Sequence, residues 1–148
     1  TLNPTCPKAL RQVLAVLLGF LTWSAIWLAG NQLLVELHVL PHGSRTPIKD
    51  SGGLLSLLTN AVVATLAAGY SVALLKPPTL QKPVLVLAAL LIAVGVVVQS
   101  GLWDLMPLWY HVAFLALLLP MCIAGAKLFK SSLRLGRRRS RSVDHQAP

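Results

Sequence analysis

Acidic side chains are scarce in this sequence. Asp and Glu together number four in 148 residues, and charged residues of both signs make up 11% of the chain, against about 25% in soluble domains. The four are Glu36, Asp50, Asp104 and Asp144, and none of them lies inside a long apolar run. Because pumps and proton-coupled transporters generally use a carboxylate embedded in the membrane, this scarcity argues against coupled transport.

Motifs that would carry chemistry are lacking as well. The two cysteines, Cys6 and Cys122, form no CxxC pair and no metal-ligand spacing, which argues against a disulfide framework or a thiol redox centre. The sequence contains no phosphate-binding loop, no nucleophile elbow and no HExxH. We therefore predict that the protein is not an enzyme and that it carries no cofactor.

Long apolar runs dominate the chain instead. Hydrophobic residues make up 55% of it, and its mean hydropathy is +0.71. A membrane-spanning helix needs about 20 mainly apolar residues, and four such runs occur at about 10–32, 54–75, 83–101 and 105–128. Ser51 stands where the N-cap of the second helix is expected. The sequence predicts an all-α integral membrane bundle of four transmembrane helices over 1–130, followed by a basic cytoplasmic tail over 131–148.

The basic residues are distributed unevenly about these runs. Of the thirteen, only Arg45 and Lys49 fall in the segment between the first and second runs. Of the other eleven, two lie at the start of the first run, two lie between the second and third runs, and seven lie at or beyond the end of the fourth run. Since cytoplasmic segments carry the excess of Lys and Arg, this pattern predicts that both termini are cytoplasmic.

Four arginines are concentrated in the tail: Arg137, Arg138, Arg139 and Arg141. Each basic residue close to an anionic leaflet contributes about 1 kcal/mol of attraction to the lipid surface. Nucleic-acid binding would require a folded reading domain or interleaved aromatic residues, and the tail has neither. We predict that the tail binds membrane lipid and not nucleic acid.

Small residues recur along one face of the second run. Ala61, Thr65, Gly69 and Ala73 are each four residues apart, and small side chains allow helices in a membrane to approach closely. We interpret this stripe as a helix-packing face. Trp23 and Trp27 also share a face, and they either pack against a neighbouring helix or line a binding groove.

Polar residues gather toward the predicted outer face. They either form hydrogen bonds between helices or line a polar cavity that opens outward. A metal or haem site at this face is a further alternative, but the interpretation we favour for its histidines is hydrogen bonding at the interface, with no metal bound. The set comprises Asn31, Gln32, Glu36, His38, Asn60, Gln99, Asp104 and His111.

Three segments carry a family resemblance. They are Gly19–Gln32 with its two tryptophans, Ala67–Tyr70, and Trp103–His111 running on to Leu128. In these segments the chain resembles small uncharacterised four-helix membrane proteins of bacteria, especially cyanobacteria. The resemblance implies four helices in a bacterial inner membrane or a thylakoid membrane, and it implies no particular activity.

Three functional hypotheses follow, in order of preference. The first is a non-enzymatic accessory or structural subunit that packs against a larger membrane complex or against copies of itself. The second is a small oligomeric transporter or channel for an unidentified solute, lined by the outer polar residues. The third, an enzyme acting on lipid, would need His111, Glu36 and Asp104 within hydrogen-bond reach of one another.

Overall fold

The chain folds into four helices, described here from a computed structural model. The model describes residues 8–41, 47–75 and 80–144, and the side chains of 130 and 132–144 lie outside this description. The helices are α1 (Lys8–Glu36), α2 (Ser51–Leu74), α3 (Gln81–Ser100) and α4 (Leu108–Asp144). Each contains a stretch long and apolar enough to cross a membrane, which in α4 is Leu108–Phe129. The prediction of an all-α protein with four helices of transmembrane length is confirmed; which side of the membrane the termini occupy stays a prediction.

The ends of the first two helices are set by local hydrogen bonding. His38 adopts a left-handed backbone conformation, with φ 58°, directly after α1. This turn brings the amides of Val39 and Leu40 back to the carbonyl oxygen of Leu34, at 3.0 and 3.1 Å, and so satisfies a carbonyl that the helix leaves unpaired. At the start of α2, Oδ2 of Asp50 accepts a hydrogen bond from the amide of Gly53 at 2.8 Å. The N-cap is therefore Asp50, and the expectation of Ser51 was wrong by one residue.

The helices form a ring in the order α1, α2, α4, α3. α2 packs extensively on α1 and on α4, α3 packs on α4 and α1, and α2 barely touches α3. The closest approach is between α2 and α4. A Cβ atom on Gly69 would clash with the carbonyl oxygen of Cys122, and one on Gly125 would clash with that of Leu66, so the two helices are in backbone contact.

All four residues of the predicted packing stripe are buried, but they face more than one neighbour. Gly69 lies against α4, whereas Thr65 accepts a hydrogen bond from the indole nitrogen of Trp23 in α1, at 3.3 Å. Thr65 in turn donates to the carbonyl oxygen of Ala61 in its own helix, at 2.7 Å. The stripe therefore lies on the interior side of α2 and contacts both α1 and α4. Ala73, its last residue, is also buried.

The interior is apolar along most of its length. Its largest fully buried side chains include Leu54, Leu87, Leu91, Phe114 and Leu118. The outward faces carry Leu and Val, which suits contact with lipid. α1 contributes least to the interior, since only Ala15, Gly19 and Trp23 are buried along its length.

Candidate functional site

Most of the predicted polar residues lie at one end of the bundle. We call it the distal end; it consists of the last turns of α1 and α3, the first turns of α2 and α4, and the segments between them. The two distal segments are joined by a hydrogen bond from the amide of Ile48 to the carbonyl oxygen of Leu105, at 3.0 Å. The four tail arginines, Arg137, Arg138, Arg139 and Arg141, are at the opposite end of α4, and their side chains lie outside the described part of the chain.

Asn60 ties α2 to α1. Its Nδ2 donates to the carbonyl oxygen of Trp27 at 3.2 Å and to Oδ1 of Asn31 at 3.1 Å. Gly30 provides the space, because a Cβ atom there would overlap the Asn60 amide group. Two of the predicted polar residues are therefore brought together as an interhelical link.

His111 and Gln99 form a second link, between α4 and α3. Nδ1 of His111 donates to Oε1 of Gln99 at 2.7 Å, and Nε2 lies 3.3 Å from the carbonyl oxygen of Met106. The imidazole ring stacks on Trp103, with centroids 5.0 Å apart and planes 11° apart. Both side chains are buried, His111 at 2% exposure and Gln99 at 4%.

The remaining polar residues do not join these links. Nε2 of Gln32 donates to Oε1 of Glu36 at 3.1 Å on the exposed surface of α1. His38 is the left-handed residue that ends α1, and Asp104 is exposed between α3 and α4. The structure therefore does not bring Glu36 and Asp104 to His111, as a catalytic group would require. Within the described ranges no three His, Cys, Asp or Glu residues are grouped to hold a metal ion, and His42 lies outside those ranges.

A series of aromatic rings in mutual contact extends through the bundle toward the distal end. Phe20, Trp23 and Trp27 stack in succession along α1, with Trp23 and Trp27 nearly parallel at 5.8 Å. Trp27 meets the edge of Phe114 across the bundle at 5.5 Å, and Phe114 stacks with Tyr110 at 6.2 Å. The two tryptophans thus pack against other rings, and Trp27 also borders open space.

That space is a cavity of about 260 Å³ at the distal end. All four helices and both distal segments contribute to its walls, and every lining residue is uncharged. The sequence pointed to Asn31 and Gln99 but not to Tyr110, which is 1% exposed and also lines the cavity. A tyrosine beside a tryptophan at a helix start is typical of the aromatic belt at a membrane interface, so its burial has no signal in the sequence. The helical lining includes Trp27, Asn31, Val35, Leu57, Gln99 and Tyr110.

Helix length, hydropathy and packing together define a small multi-pass membrane protein with four helices of spanning length. Comparison of the chain with known protein families, with curated proteins and with solved structures finds no match. The resemblance to bacterial four-helix membrane proteins therefore extends to this general class, and no family is identified.

Proposed function

We propose that this protein is a non-enzymatic accessory subunit that packs within the bilayer against a larger membrane complex. The observation that carries the proposal is a groove on the outside of the bundle, between the distal halves of α1 and α2. Its volume is about 410 Å³, and we call it the α1–α2 groove. Its walls are formed by Gly30, Leu33, Leu34, Leu55, Ser56, Thr59, Asn60 and Val63.

The chemistry of the α1–α2 groove suits a transmembrane helix of a partner. The hydroxyl groups of Ser56 and Thr59 donate to the carbonyl oxygens of Gly52 and Leu55 in their own helix, at 2.9 and 2.8 Å. Being already bonded, they present small surfaces over which a second helix can approach closely. Asn60 uses its Nδ2 within the bundle, and its Oδ1 accepts no hydrogen bond from the described residues. A donor on the partner helix would complete it.

The surroundings of the groove support the same proposal. α1 has the fewest buried residues of the four helices. A partner helix packed against it would therefore bury more of its surface. The polybasic tail would add attraction to an anionic leaflet, with both termini on the cytoplasmic side. We place the complex in a bacterial inner membrane or a thylakoid membrane.

The test uses native membranes solubilised in mild detergent, followed by native electrophoresis and mass spectrometry. The wild-type chain is expected to migrate with a larger complex. Thr59→Trp, which fills the groove, is expected to release it, because a bulky ring prevents close helix approach. Val97→Trp is the matched control, since Val97 is 71% exposed on α3 and does not line the groove. Migration of the wild-type chain by itself, or equal retention of both variants, would overturn the proposal.

A small oligomeric transporter or channel is the second candidate, favoured by the convergence of Asn31, Gln99 and Tyr110 on the distal cavity. The interior of the bundle is filled by apolar side chains such as Leu87, Leu91 and Phe114, so a polar path across the membrane would have to run between copies of the chain. Solute flux into proteoliposomes that is lost in Asn60→Leu would support this candidate. Absence of flux for any solute tested would count against it.

A further inference from the structure

We propose that the distal cavity binds a neutral, ring-containing small molecule that carries a hydrogen-bond acceptor such as a carbonyl oxygen. The inference is independent of the accessory role, which rests on the α1–α2 groove on the outside of the bundle. It rests on the size of the cavity, on its uncharged walls, and on two donor groups in its lining that have no partner among the described residues.

The size of the cavity limits the ligand to one or two rings. A cavity of about 150 Å³ lined by apolar side chains accommodates benzene, and the distal cavity measures about 260 Å³. Its walls are mostly Leu, Val, Ile and Pro, with Trp27 and Tyr110 offering aromatic surface. A flat ring would make good contact with these side chains.

The uncharged lining favours a neutral ligand. Moving an ion into an apolar site without a countercharge costs far more than a neutral molecule of the same size. His111, which lies next to Tyr110 in sequence, contacts Gln99 and Met106 and is not part of the cavity wall. The walls therefore select against anions and cations.

Two side chains that line the cavity carry donor groups for which the described residues supply no partner. The Tyr110 side chain is 1% exposed, and its hydroxyl makes no hydrogen bond within the described part of the chain. Gln99 is 4% exposed; its Oε1 accepts from His111, which leaves its amide N–H groups without a partner among those residues. Neither the Tyr110 hydroxyl nor the Gln99 amide nitrogen is fully enclosed by protein atoms, so both donors can reach a molecule in the cavity.

Both groups line the same cavity, and both can donate. Tyr110 projects from the first turn of α4 and Gln99 from the last turn of α3. An oxygen with two lone pairs, as in a ketone, can accept from a phenol and an amide at once. This pairing gives the ligand its defining feature, an acceptor attached to an apolar ring.

The probe that tests the proposal is benzophenone, a neutral two-ring ketone that forms covalent crosslinks on irradiation. The purified full-length chain in lipid nanodiscs is irradiated over a range of probe concentrations, and the labelled residues are mapped by mass spectrometry. Labelling of residues around Trp27, Val35 and Leu57 is expected to saturate. Labelling of the exposed residue Val97 is expected to rise linearly, as for a probe dissolved in lipid.

Two variants distinguish a built site from partition into lipid. Tyr110→Phe removes only the hydroxyl and is expected to raise the half-saturating concentration about two- to tenfold, the equivalent of one hydrogen bond. Val35→Phe reduces the cavity volume and is expected to abolish the saturable component, whereas Val97→Phe is expected to leave it unchanged. Circular dichroism confirms that each variant retains its helices.

A competition in the wild-type chain gives a readout that needs no variant. Acetophenone and ethylbenzene are similar in size, but only acetophenone has a carbonyl oxygen. Acetophenone is expected to suppress cavity labelling at a concentration at least about threefold lower. Linear labelling of cavity residues, or equal competition by the two compounds, would overturn the proposal.

Discussion

At the scale of single residues, the distal end depends on how closely one side chain can approach a neighbouring backbone. Asn60 reaches the carbonyl oxygen of Trp27 only because position 30 has no side chain. A polar group placed at membrane depth needs such a partner, and a link of this kind contributes about 0.6 kcal/mol on average. Gly30 and Asn60 should therefore be energetically coupled, so that the cost of a substitution at one position depends on the residue at the other.

We predict that Gly30→Ala lowers the free energy of unfolding by about 1–2 kcal/mol, because the new methyl group displaces the Asn60 amide from both of its acceptors. Unfolding in mixed micelles with increasing sodium dodecyl sulfate measures the change. In an Asn60→Ala background the same Gly30→Ala substitution should cost almost nothing. If the two substitutions were additive, the coupling between these positions would be absent.

At the scale of helices, the pair α2 and α4 holds the bundle together. At Gly69 and Gly125 an added side chain would meet main-chain atoms of the other helix. These atoms cannot move aside without a shift of the whole helix. The contact of α1 is different: a Cβ atom on Gly19 would mainly meet the Leu87 and Val72 side chains, and it would lie 3.2 Å from the backbone oxygen of Ala68, a tight but smaller overlap. The interfaces should therefore differ in their tolerance of added volume.

We predict that Gly69→Ala and Gly125→Ala each destabilise the protein by about 3 kcal/mol, at the upper end of overpacking effects. Gly19→Ala should cost about 1 kcal/mol, because its side-chain neighbours can rearrange. Gly101→Ala is the control, since its φ of −74° suits alanine and its surroundings are open. The same unfolding titration ranks the four variants, and an equal cost at Gly19 and Gly69 would contradict the backbone contact.

At the scale of the whole molecule, the distribution of basic residues predicts the orientation of the bundle in its membrane. The excess of Lys and Arg predicts that the distal end, with its cavity and its groove, lies on the side away from the cytoplasm. In that orientation a ligand or partner would reach the distal cavity from the non-cytoplasmic side, or from that half of the bilayer.

Single-cysteine labelling tests this orientation. In a chain with Cys6→Ser and Cys122→Ala, we predict that Lys49→Cys reacts with a membrane-impermeant maleimide in intact cells of a bacterial host. Lys82→Cys should react only after permeabilisation; both lysines are exposed and lie at opposite ends of the bundle. The reverse pattern would show the opposite orientation.

The sequence was sufficient to predict those structural features that depend on the hydropathy of individual residues. It predicted four helices, because each span needs an apolar stretch of a definite length. It did not separate Asp50 from Ser51 as the N-cap, since both residue types cap well and they are adjacent. Nor did it indicate the cavity at Tyr110, because that depends on which helices lie side by side, and apolar helices carry little information about their neighbours.

The backbone contact between α2 and α4 also bears on how the chain assembles as it leaves the ribosome. α1 and α2 adjoin in sequence and in space, so they can pair as soon as both have entered the membrane. α3 enters next and finds little surface on α2 to bind. Its principal partner, and the tightest interface in the molecule, arrive only with α4. If the helices insert in order, biosynthesis passes through a three-helix stage in which α3 packs mainly on α1, and the final span completes the bundle.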